Sequence, residues 1–251
     1  MERQYIDSIF IDKPIDKDSY LHSIPSVKYL IDGNKLNFNN KVTVLVGENG
    51  TGKSTLVEAI AIACGFNAEG GSRNFSFSTA KAHSDLYKHL IISRRNTAKD
   101  GFFLRAESFF NVASNIDELD KIIAPTPSII SSYGGLSLHN QSHGESFLSL
   151  VKNRFSGNGL YILDEPEAAL SPMRLLALIT EMHRLVQNNS QFIIATHSPF
   201  LMAFPDAKVL QLSEKGINEV DYKDTEHYKT SKAFFDGPER LIHYLLRDEN
   251  E

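Results

Sequence analysis

The chain of 251 residues holds a single cysteine, Cys64, so no disulfide can form within it. The plain reading of Cys64 is a small buried apolar residue, with a reducing, cytoplasmic setting as the default. No apolar run approaches the roughly 20 residues that cross a bilayer as a helix. Met1-Glu2-Arg3-Gln4-Tyr5 lacks the apolar stretch of a secretion signal. These absences lead us to expect no membrane segment. Positive charge is also scarce: 26 Lys and Arg against 31 Asp and Glu leave a net charge of −5, with no global pull toward nucleic acid or anionic lipid. One local exception is Lys81, Lys88, Arg94, Arg95, Lys99 and Arg105, set against Asp85 and Asp100. That run reads as a solvated face or as a contact surface for a phosphate backbone. No internal repeat, long low-complexity segment or nuclease motif is present. The length and the 41% of hydrophobic residues suit one large α/β domain.

What is present centres on Gly47-Glu48-Asn49-Gly50-Thr51-Gly52-Lys53-Ser54-Thr55, which fits G-x-x-x-x-G-K-[ST]. The β-branched apolar run Val42-Thr43-Val44-Leu45-Val46 precedes it, and a helical pattern over 56–63 follows. Strand, glycine loop and helix together make a P-loop, in which backbone N–H groups and the helix start cradle phosphates. Lys53 is expected to reach the β- and γ-phosphates and Ser54 to ligate Mg²⁺.

Leu160-Tyr161-Ile162-Leu163 is a second buried strand, ending in Asp164-Glu165-Pro166. It carries Asp164 toward the metal and Glu165 toward an attacking water, so metal binding and base chemistry fall to separate carboxylates. A third strand, 191–196, ends in Thr196-His197-Ser198-Pro199, which places His197 as a γ-phosphate sensor. Ser142-His143-Gly144-Glu145 opens a helix over 146–155. It reads either as an anion-binding helix start or as a capping box with Ser142 as N-cap.

The remaining pattern is coarser. Residues 28–31 and 35–38 flank Asp32-Gly33-Asn34 as a hairpin, and 65–80 reads as a loop. Residues 86–95 and 101–105 look like two strands joined by a polar turn, followed by short helices at 107–115 and 117–123. A loop starts at Pro125 and Pro127; Ser171 caps a helix over 172–186; a hairpin at 208–220 precedes a helical tail at about 229–248. Buried strands alternating with helices predict a mostly parallel central sheet, with an antiparallel β subdomain and a small helical subdomain.

In their order and spacing, the P-loop, the Ser-x-Gly-Glu turn, the Asp-Glu-Pro strand and the Thr-His strand resemble the ABC-type ATPases over about residues 26–213. Gly47-Glu48-Asn49-Gly50 with Leu56-Val57-Glu58-Ala59-Ile60, and Asp164-Glu165-Pro166-Glu167 with Leu170-Ser171-Pro172, are similar to soluble heads of the SMC, RecF and OLD kinds. The whole chain also resembles small bacterial ATPases that lack an inserted coiled coil. The resemblance implies a single P-loop NTPase domain over 1–251. Its P-loop and antiparallel β lobe would span about 1–110, its helical signature subdomain about 111–158, and the Walker B strand, His switch and C-terminal helices about 159–251.

It further implies an ATP-dependent homodimer that hydrolyses ATP with Mg²⁺. Ser142, His143, Gly144 and Glu145 of one copy would contact nucleotide on the other copy's P-loop. Glu107 would stand at the position of a metal-sensing glutamine, and Arg73 would match an arginine beside the nucleotide. The chain departs from the family pattern at His143, where glycine is usual, at Ser171, where many members carry aspartate, and at Glu107. Two functions compete: an ATP-gated switch coupled to DNA or a protein effector, and the nucleotide-binding subunit of a membrane transporter. In the second, an aromatic such as Tyr29 would stack on the adenine.

Overall fold

The computed structural model describes residues 4–73, 83–121 and 128–246. Lys81, Pro125 and Pro127 lie outside them, as do parts of the 65–80 loop and of the 117–123 helix. In chain order the elements are β1 (Ile6–Ile11), α1 (Pro25–Ile31), β2 (Leu36–Asn37), β3 (Val42–Val46), α2 (Lys53–Ala63), β4 (Leu90–Arg94) and β5 (Asp100–Arg105). Then come α3 (Phe109–Asp120), α4 (His143–Arg154), β6 (Gly159–Asp164), α5 (Pro172–Gln187), β7 (Gln191–Ala195) and α6 (Pro199–Met202). The chain continues through β8 (Lys208–Ser213), β9 (Gly216–Val220), α7 (Glu226–Asp236) and α8 (Pro238–Leu245).

The main sheet runs β5-β6-β7-β3-β8-β9, parallel throughout except for the closing β8–β9 hairpin. Its central strands are apolar on both faces because both faces are covered. Val44, Tyr161, Leu163, Phe192 and Ile194 point into a core with α3, α4 and α5. Leu45, Leu160, Ile162 and Ile193 alternate with them and point into a second core around α2 and the small sheet. That small antiparallel sheet, ordered β2-β1-β4, completes the expected architecture. Gln191, wholly buried, joins the two sheets. Its Oε1 accepts the N–H groups of Tyr5 and Ile6, each at 2.9 Å, and its Nε2 donates to the Ile6 carbonyl.

Several local expectations are corrected. Residues 28–31 belong to helix α1, not to a hairpin strand: Pro25 opens the helix, and Val27 and Leu30 are buried three residues apart. Residues 85–88 form a 3₁₀ turn, and β4 and β5 do not pair with each other. The first joins β1 and the second joins β6. The two short helices after β5 are one, α3, as far as the described residues run. The helical tail breaks at Gly237-Pro238 into α7 and α8. Among the described residues, no helix is long and apolar enough to cross a membrane.

Candidate functional site

Parallel strands β3, β6 and β7 end side by side, and the polar residues that follow them meet at the start of α2. The P-loop turn needs left-handed backbone at Gly50 and Gly52, with φ of 83° and 90°. Gly52 also lies so close to α1 and the residue before it that a Cβ would run into Ile24 and Ser26. Glu48, Asn49 and Gly50 are exposed at the tip of the loop, Thr51 and Lys53 are buried, and Ser54 and Thr55 are half-buried in the first turn of α2. Thr51 Oγ1 ties the loop to itself by donating to the Glu48 carbonyl at 2.8 Å.

The Lys53 ammonium sits within this loop, donating to the carbonyls of Gly47 at 2.7 Å and Glu48 at 3.1 Å. Burial lowers its pKa, against the pull of Glu165 and Asp164. Three N–H donors on one cation at a glycine loop make a point charge suited to phosphate oxygens.

Asp164 is buried at the end of β6. Its Oδ2 faces Arg105 Nε at 3.3 Å, an ion pair without hydrogen-bond alignment, and its Oδ1 has no hydrogen-bond partner. Burial pushes its carboxyl up to about 6, although Arg105 and the Ser54 hydroxyl favour the charged form. Arg105 also pairs with Glu58 of α2 at 2.5 Å, so one guanidinium balances two buried acids. Sequence reading gave neither Glu58 nor Arg105 a role at this site. The half-buried Arg105 and the buried Glu58 become a pair only once β5 lies beside the P-loop helix.

A cavity of about 310 Å³ is lined by Ser54, Arg105, Glu107, His143, Asp164 and Glu165, together with residues 168 and 169. The orphaned Asp164 oxygen and the Ser54 hydroxyl fit Mg²⁺, an oxygen-seeking cation that takes few protein ligands and completes its shell with phosphates and water. Glu107 lies at the mouth, mostly exposed and 3.9 Å from Arg105.

Glu165 adopts a left-handed conformation, φ 49°, unusual for a residue with a side chain. Its N–H donates to the Ala195 carbonyl at the end of β7, which fixes the bend. The turn brings its Oε1 to 3.7 Å from His197 Nε2. Glu167 accepts the His197 N–H at 2.6 Å, so the Asp-Glu-Pro-Glu turn orients the histidine at two points. His197 Nδ1 lies 2.8 Å from Nε2 of His227 at the start of α7, a partner that no motif announced. Burial lowers the pKa of both rings.

The Ser142–Glu145 turn is a helix cap: the Glu145 carboxylate accepts both the N–H and the hydroxyl of Ser142, at 3.0 and 2.6 Å. Arg174 of α5 pairs with Glu145 at 3.1 Å and packs where a Cβ on Gly144 would fall. His143 is exposed and edge-on to Phe109. Arg73 is not brought to this site. Its guanidinium lies over Phe66 and donates to the Ala98 carbonyl, near the far end of α2. Tyr29 packs against Gly216 of β9. Of the basic run, Lys88 pairs with Asp85, Arg95 with Asp7, and Arg105 is turned inward.

Comparisons with known proteins agree with this architecture. Residues 23–123 match a family model described as "AAA domain", and residues 146–203 match one described as "AAA domain, putative AbiEii toxin, Type IV TA system". A stretch of 147 residues, 51% of the chain, is 26% identical to the Retron Vc95 probable ATPase of Vibrio cholerae, and spans only 27% of that protein's length. An uncharacterized ABC transporter ATP-binding protein of Haemophilus influenzae is 22% identical over 84% of the chain and 85% of its own length. Among solved structures, an ATP-binding cassette of an ABC transporter superposes with a TM-score of 0.52 at 15% identity, covering 96% of this chain and 99% of that one.

Proposed function

We propose that this chain, an ABC-type P-loop ATPase, binds and hydrolyses ATP with Mg²⁺ as an ATP-gated homodimeric switch that acts on a protein effector. The observation that carries the hydrolytic reading is Glu165. Its carboxylate stands beside His197 Nε2 and shares a cavity with Ser54 and Asp164.

In the proposed reaction the P-loop N–H groups and Lys53 hold the β- and γ-phosphates. Ser54 and Asp164 would hold Mg²⁺, which would supply positive charge against that gathering on the phosphate oxygens. Glu165 accepts a proton from the attacking water as its oxygen bonds to the γ-phosphorus. The bond from that phosphorus to the bridging oxygen breaks, and its electron pair leaves with ADP. His197 donates a hydrogen bond to the transferring phosphoryl group. Ser142, His143 and Gly144 of a second copy close the site.

The spending of basic side chains on local ion pairs favours a protein effector over DNA. A second reading, the nucleotide-binding subunit of a membrane transporter, is favoured by the transporter proteins among the relatives. ATP turnover tests the proposal. Glu165→Gln should lower kcat by about a hundredfold or more while leaving nucleotide binding in place. Unchanged turnover would remove Glu165 from the chemistry. Stimulation of the native protein by double-stranded DNA would replace the protein effector with DNA.

A further inference from the structure

His227 lies 30 residues beyond His197, in the first turn of α7, outside every motif of the P-loop site. The two rings stand 4.9 Å apart between centroids, tilted by 54°. Their approach is built, not casual. Thr225, almost wholly buried, caps α7 by accepting the Tyr228 N–H. Its hydroxyl donates to the Tyr222 carbonyl at 2.6 Å, and the same oxygen packs 3.6 Å from the sulfur of Met202, which ends the short helix that follows His197. The segment after β7 and the start of α7 thus pack against each other, with the two imidazoles between them.

From this geometry we infer that His227 is a positioning residue: its Nε2–H donates to His197 Nδ1 and holds His197 in the tautomer that carries its proton on Nε2. The argument is one of donors and acceptors. A neutral imidazole has one of each, and the nitrogen engaged on one side decides what the other can offer. If His197 Nδ1 were the donor toward His227, its Nε2 would be a bare lone pair. That lone pair would face the Glu165 carboxylate oxygen 3.7 Å away, acceptor against acceptor. With His227 as donor, His197 Nε2–H faces Glu165 and is free to donate to a phosphoryl oxygen. Burial lowers the pKa of both rings, which favours a neutral pair over two adjacent cations. The consequence for turnover rests on the ATPase reading above; the tautomer assignment does not.

The test separates the two. Long-range ¹H–¹⁵N correlation spectra of the ¹⁵N-labelled full chain report which ring nitrogen of His197 carries the proton, with the signals assigned through His197→Gln. The native protein should show the Nε2–H form. His227→Leu, which removes the donor, should shift His197 toward Nδ1–H. His227→Gln, whose amide can still donate, should restore most of the native form. Alongside, His227→Leu should lower kcat by about tenfold or more with KM changed little, and His227→Gln should recover most of the loss. An unchanged His197 tautomer in folded His227→Leu overturns the inference. A tautomer shift in a protein whose native form hydrolyses no ATP would uphold the positioning role and remove the ATPase reading instead.

Discussion

Asp164 carries two demands that conflict. Its place at the end of β6 buries the carboxylate, and burial raises its pKa to about 6. Holding Mg²⁺ requires the charged form. A carboxyl whose pKa is higher folded than unfolded favours folding while it is protonated. That contribution is fully present below the unfolded value of about 3.9 and is lost as pH rises through the folded one. Above pH 6 the free protein therefore carries a buried charge, offset by Arg105, Ser54 and Lys53. We expect Asp164→Asn to melt higher than the native chain at pH 8, measured without nucleotide, and to lose Mg²⁺-dependent ATP turnover. A lower melting temperature would show that the Arg105 pair outweighs desolvation. The same protonation should weaken Mg²⁺ binding to the free protein as pH falls through about 6.

At the scale of elements, the P-loop is a turn pressed against α1, and its glycines are constrained for different reasons. Gly50 and Gly52 both have positive φ, but a side chain on Gly50 meets open space, whereas one on Gly52 collides with Ile24 and Ser26. Gly50→Ala should cost about 1 kcal/mol, the strain of a left-handed residue. Gly52→Ala should cost at least about 2 kcal/mol more, because backbone and α1 must both move. Urea unfolding of the two variants checks this, and equal losses would mean that α1 yields freely.

The contact of the loop with α1 also shows what was legible in the chain. The P-loop strand and helix, the Asp164 strand and the His197 strand could be read because each is a continuous apolar run ending in polar residues at a fixed register. Helix α1 could not. Seven residues hold less than two turns, and Lys28-Tyr29-Leu30-Ile31 suits a strand as well as a helix until Pro25 and the burial of Val27 and Leu30 decide it. Strands β4 and β5 are legible as strands, but neither run of residues says which edge it will join. Within the site, Asp164, Glu165 and His197 came from local motifs. The partners Glu58, Arg105 and His227 are not legible as partners because only long-range packing brings them there, and Arg73 enters only through the family resemblance.

At the scale of the whole molecule, one chain exposes both turns that the proposed dimer would bring together. Glu48, Asn49 and Gly50 are exposed at the tip of the P-loop, and Ser142, His143 and Glu145 are exposed at the start of α4. The turn at Ser142 is rigid: Glu145 holds Ser142, Arg174 holds Glu145, and Gly144 leaves no room for a side chain beside Arg174. A preformed turn, open to solvent, loses little entropy when it closes on a ligand, and the Ser142 N–H and hydroxyl must leave Glu145 to reach an anion. If nucleotide on one copy supplies that anion to the turn of the other, association should require ATP and an intact turn together. Glu165→Gln, which should retain ATP, should elute from a sizing column as a dimer with ATP and Mg²⁺ and as a monomer without nucleotide. Adding Ser142→Arg should keep it monomeric, because the larger side chain fills the approach to the turn, while ATP binding to the P-loop of each monomer, followed by equilibrium dialysis, should remain within about threefold. A Glu165→Gln protein that stays monomeric with saturating ATP at every concentration would rule out the dimeric switch, leaving a P-loop ATPase that acts alone.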